Sequence, residues 1–190
     1  MNKAKEMIPE VESWAIPRSK GLGFKLDDGG RSAAGFKGSA GDCVTRAIAI
    51  AEFRDYNEVR EELMAEKRSW MAKSRSRSAK KAKSASVRNG TEAKVYRPYL
   101  EKRGWVRKTL VKFGDPSRKK MVPEEIPLGN VIVEIPKHVI AIKDHVVHDT
   151  FDSRTTNVWE DGVPTEKITP RTMVAFWVKE PNKPERKPSK

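Results

Sequence analysis

The apolar residues of this chain change their period at Gly104, and that change most narrows the folds open to it. Before Gly104 they recur at helical spacing; after it they alternate along short runs bounded by turn residues. In CVTRAIAIAE, Cys43, Ala47 and Ile50 fall on one face, and Ser39 and Asp42 just upstream are good N-cap types. Asp55 opens a second helix, with Glu58 three residues on as a capping box and Val59 and Leu63 on its apolar stripe. Thr91 caps a third, EAKVYRPYLEKR, which carries Pro98 in its interior and stops at Gly104. The later runs are WVRKTLVKF from Trp105, VIVEI from Val131, HVIAIK from His138, HVVHDTF from His145 and TMVAFWV from Thr172. Helices followed by strands predict an α+β domain with the opening helix packed on an antiparallel sheet, because hairpin-length connections are too short for parallel crossovers. Trp105, Phe113, Phe176 and Trp177 read as core.

Near residue 30 the stretch LDDGGRSAAG breaks any pattern, so residues 1–30 read as an N-terminal extension and 31–178 as the domain. Residues 179–190, with three prolines, read as a disordered basic tail. Inside the domain, residues 67–90 hold nine cations and no acid: Lys67, Arg68, Lys73, Arg75, Arg77, Lys80, Lys81, Lys83 and Arg88. A solvated, mobile loop or a fraying helix end is expected there, and with a net charge of +13 it is a candidate place for DNA or RNA phosphates to be met without base readout. One cysteine allows no internal disulfide and suits a reducing, cytoplasmic compartment. No apolar run approaches the roughly 18 residues of a membrane span, and the N-terminus lacks the apolar core of a signal peptide, so no membrane partner is expected. The Gly-rich pieces lack phosphate-loop spacing, and no cofactor is expected.

The hairpin HVIAIKDHVVHDTF carries the chemistry. A two-residue turn at Asp144-His145 pairs Lys143 with Val146, Ile142 with Val147 and Ala141 with His148. His138, Ile140, Ile142, Val147, Asp149 and Phe151 then share one side, and His138 and Asp149 become diagonal neighbours within hydrogen-bonding reach. A three-residue loop would set His138 beside His148 or Asp152 instead. His145 and His148 point to opposite faces of the strand, so no metal site is expected; His145 reads as an exposed turn residue and His148 as partly exposed. Cys43, at the positive end of a helix, has its thiolate favoured by the macrodipole and by unpaired N–H groups. A thiol, an imidazole and a carboxylate that fixes the imidazole are the parts of a thiol hydrolase.

The segments GDCVTRAIAIAE, DYNEV, RNGT, YRPYLEKRGW and IPLGNVIVEIPKHVIAIKDHVVHDTFDSR resemble a group of small phage and bacterial proteins of papain-like, cysteine-peptidase-like arrangement. The resemblance covers roughly Gly35 to Trp177. It implies a papain-like fold, Cys43 as nucleophile, His138 as base, Asp149 as the orienting acid, a peptide or protein substrate, and the host cytoplasm or the virion as location. Papain-like enzymes usually place a Gln before the Cys to hold the oxyanion, and this chain contains no Gln. The Cys43 N–H is one substitute donor, and Ser39 or another N–H is the expected second.

Overall fold

The computed structural model describes residues 21–82, 84–110 and 119–179. Its elements run β1 (Gly23–Leu26), α1 (Cys43–Glu52), α2 (Tyr56–Lys73), α3 (Arg77–Lys81), α4 (Ala93–Lys102), β2 (Trp105–Thr109), β3 (Asn130–Ile135), β4 (His138–Lys143), β5 (Val146–Asp149), β6 (Thr155–Glu160), β7 (Val163–Pro170) and β8 (Ala175–Lys179). Six strands form one sheet in the order β1-β5-β4-β3-β8-β2, and β6 with β7 forms a separate two-stranded ribbon. The α+β class holds. The sheet, however, is mixed rather than antiparallel, because β1 pairs in parallel with β5. No helix among the described residues is long and apolar enough to cross a membrane.

Alternation along the central strands divides the core in two. Ile132, Val139, Ala141 and Trp177 face the helices and join Val44, Ile48, Val59, Leu63 and Leu100. Val131, Val133, Ile140, Ile142 and Val147 face the other way, under Leu22, Met121, Ile126 and Met173. Helix α1 is buried from Val44 through Ala51, its polar Thr45 and Arg46 included. Trp105 and Trp177 are core as read from sequence, Phe176 is partly buried, and Phe113 lies outside the described residues.

Three boundaries differ from the sequence reading. The domain does not start at residue 31, since Leu22 is buried and β1 belongs to the main sheet. It extends through Lys179, which pairs with Trp105 across the β2–β8 ladder; residues 180–190 lie outside the described residues. The basic stretch is not simply solvated: α2 runs on to Lys73, α3 follows, and Ala79 and Val87 are buried. Lys67 is buried as well. Its Nζ donates to the Ser86 carbonyl at 3.0 Å and pairs with Glu92 at 3.1 Å, so it fastens the segment instead of offering a charge to solvent. Arg68, Lys73, Arg75, Arg77, Lys80 and Arg88 are exposed, while Lys83 lies outside the described residues. Lys81 closes α3.

Candidate active site

The Asp144-His145 turn positions the site. Both residues take left-handed backbone, φ 45° and φ 64°, the geometry of a type I′ hairpin, and the ladder pairs Lys143 with Val146, Ile142 with Val147 and Ala141 with His148. That register sets Asp149 at the end of β5 within reach of His138 at the start of β4. The His138 Nε2 and Asp149 Oδ2 are 2.6 Å apart. By strict alternation both side chains would belong to the Ile140 face, away from α1. Standing at the ends of their strands, they reach the start of the helix instead: Asp149 Oδ1 accepts from Arg46 Nη1 at 3.2 Å, and His138 lines one cleft with Cys43, near enough for each to shift the other's pKa. With Nε2 committed to Asp149, Nδ1 is the ring nitrogen left for the thiol. Phe151 lies 5.2 Å from the imidazole between ring centroids, at 32°.

Cys43 is the first residue of α1, and the way the helix begins bears on its chemistry. Asp42 occupies the N-cap position but caps nothing with its side chain. Its carboxylate instead accepts from Arg31 Nε at 2.9 Å, Arg46 Nε at 2.9 Å and the Tyr56 hydroxyl at 2.6 Å. The donors of the first turn are thereby left without the usual side-chain acceptor, and the buried anion beside the thiol is neutralised by two guanidiniums. Burial pushes the Cys43 thiol up, but the hydrogen bond and charge of His138, the Val139 N–H and Arg46 together hold it below its ordinary value. Burial likewise disfavours an imidazolium at His138. Asp149 and Cys43 outweigh it and push the imidazole up to about 9. Asp149, for its part, is raised by burial but lowered further by the hydrogen bond and charge of His138, and ends below the usual carboxylate range. The two shifts are reciprocal: each group favours the charged form of the other, thiolate beside imidazolium.

The pair opens onto a cleft of about 520 Å³ whose walls include Asn89, Tyr96, Arg97 and Lys137. Ser39 is not among its lining residues. It is exposed and borders a neighbouring pocket with Arg31, Arg46 and Thr150, which puts it out of position as an oxyanion donor. Asn89 takes that side of the cleft. A Cβ on Gly41 would stand 3.3 Å from the Asn89 carbonyl carbon, so a side chain two positions before Cys43 would press on this loop. Thr91 does not cap α4, whose N-cap position is held by Glu92; its buried hydroxyl has no hydrogen-bond partner among the described residues.

Cys43, His138 and Asp149 are brought together as the sequence reading expected. Arg46 and Asn89 escaped that reading. Arg46 had a signal, a lone cation in an apolar helix four residues after Asp42. The remaining histidines are tied elsewhere: His145 Nε2 to the Ile126 carbonyl at 2.8 Å, and His148, buried rather than partly exposed, to Asp27 at 2.8 Å. Comparison with protein-family models, curated proteins and solved structures finds no match to this chain, so the reading of the site rests on its own geometry.

Proposed function

We propose that the protein is a papain-like cysteine hydrolase acting on a peptide or amide bond. One observation carries this reading: an imidazole held by a buried carboxylate at 2.6 Å lies beside a thiol at an uncapped helix start, and both line one cleft. Cys43 Sγ attacks the acyl carbon, and the carbonyl oxygen becomes an oxyanion held by the Cys43 backbone N–H with the Asn89 amide as second donor. The imidazolium passes its Nδ1 proton to the leaving amine as the C–N bond breaks, giving a thioester. Neutral His138 then takes a proton from water, whose oxygen attacks the thioester and releases the acid and the Cys43 thiolate beside the imidazolium. Asp149 holds the ring throughout and stabilises its charged form.

The test is acyl-enzyme formation. Incubation with p-nitrophenyl acetate should give a burst of p-nitrophenolate and an acetylated Cys43 in the mass spectrum; Cys43→Ala should give neither and His138→Ala only a slow remnant. A wild-type chain that acquires no acetyl group refutes the reading.

A second reading concerns the same chain's surface. Arg68, Lys73, Arg75, Arg77, Lys80 and Arg88 are exposed along one acid-free stretch, which supports contact with DNA or RNA phosphates. Binding should weaken steeply with salt, with a shallower slope once these six are changed to Gln. Affinity that survives their removal refutes it.

A further inference from the structure

We propose that the cleft beside Cys43 selects acyl substrates carrying a carboxylate next to the scissile bond. This rests on the thiol-hydrolase reading and adds the chemistry of the substrate. The charged side chains lining the cleft are Arg97, Glu134, Lys137 and His138. Glu134 is the sole acid among them, and it has nothing left to offer a ligand. It is 5 % exposed, and its oxygens accept from Arg97 at 2.8 Å, Arg107 at 2.7 Å and Trp177 at 2.9 Å. One carboxylate therefore faces two guanidiniums, and a positive excess remains. Arg97 engages Glu134 through Nε and Nη2, which leaves Nη1 outside that pair.

Lys137 adds to the excess. It occupies the tight β3–β4 turn with φ 63°, directly before His138, is exposed, and pairs with no acid among the described residues. Exposed Arg88 precedes Asn89 on the opposite wall. Thiolate and imidazolium cancel each other, so an anionic group entering beside Cys43 meets uncompensated cations on both sides. A neutral side chain gains nothing there, and a lysine is repelled.

Alkylation of Cys43 separates this claim from the catalytic one, because iodoacetate and iodoacetamide react alike, the sulfur displacing iodide from carbon, and differ only in the carboxylate. In the full chain, with each rate normalised to that of free cysteine, iodoacetate should react about tenfold faster than iodoacetamide, and added salt should shrink the ratio. Lys137→Glu, an exposed change that leaves the core untouched, should bring the ratio to one or below; Arg97→Gln should lower it also. A wild-type ratio of one overturns the proposal while leaving a reactive thiolate in place. A high ratio indifferent to Lys137→Glu overturns it too, since the imidazolium alone would then be the attractor. Failure of Cys43 to react with both reagents sinks the hydrolase reading and this one with it. Among peptides that differ only at the residue before the scissile bond, Glu should be favoured over Gln and Gln over Lys; the reverse order overturns the assignment.

Discussion

Burial disfavours a charged imidazole at His138, Asp149 and Cys43 outweigh it, and if the protein is the proposed hydrolase this gives the pH dependence of turnover a definite shape. On the acid side the rate should rise as the depressed thiol ionises. On the alkaline side it should fall near pH 9, where His138 loses the proton the leaving amine requires. Asp149→Asn keeps the hydrogen-bonding shape but removes the anion, so the alkaline limb should move toward the ordinary histidine value and turnover should drop on the order of 10,000-fold. A profile of kcat/KM against pH reads both effects. Asn89→Ala is the complementary case: turnover should fall about 100-fold or more through loss of an oxyanion donor, while alkylation, which forms no oxyanion, keeps its pH profile. Behind the reacting atoms, Arg46 bridges Asp42, Asp149 and Thr150. Arg46→Met would leave two buried carboxylates short of their cation, costing about 3–5 kcal/mol in urea unfolding. The lone arginine in CVTRAIAIAE was visible in the sequence. Its partners were not, since one lies 103 residues away.

Elements whose ends are decided by adjacent residues were legible in the sequence. Helix α1 spans the predicted CVTRAIAIAE, and α2 begins after Asp55, whose carboxylate accepts from the Asn57 and Glu58 N–H groups. Asp55→Ala should therefore cost about 1 kcal/mol, read as a lower urea midpoint with the same slope. The two-residue turn at Asp144-His145 was legible for the same reason, and from it the His138–Asp149 pair followed by arithmetic. Asp42 departs from local logic: a good N-cap type at an N-cap position, it turns from the helix donors to two arginines and a tyrosine. Three side-chain donors at once, two of them buried guanidiniums that would otherwise lie unpaired, outcompete a single cap bond. Ser39 was missed as a bystander for a related reason. Proximity to Cys43 along the chain says nothing about which way the 36–41 loop passes the helix start, and the loop carries Ser39 away from the cleft.

At the scale of the whole molecule, the parts that escaped the sequence are those held by distant contacts. Strand β1 is four residues long with no alternation to announce it, and it exists because β5 offers it a parallel partner. Lys67 reads as one more cation in a basic run until Ser86 and Glu92 close around it. Glu134 is the largest such case: a carboxylate inside VIVEI, which alternation alone would leave on the helix-facing side of a buried strand. There it joins α4 through Arg97, β2 through Arg107 and β8 through Trp177, so one acid ties a helix to two strands of the sheet. Burial would raise its pKa, but the hydrogen bonds from Arg107, Arg97 and Trp177 hold it down to about 2. A carboxyl depressed in the folded state adds stability that is complete above its unfolded value, near 4.5, and is lost as pH falls toward 2. The amount is on the order of 3 kcal/mol. Urea unfolding followed from pH 6 down to pH 2 should therefore show a steep loss below about 4.5. Glu134→Gln should be less stable at pH 6 and lose much less on acidification. Because the pair is buried, the difference between the two chains should change little between low and high salt, unlike that of a surface ion pair.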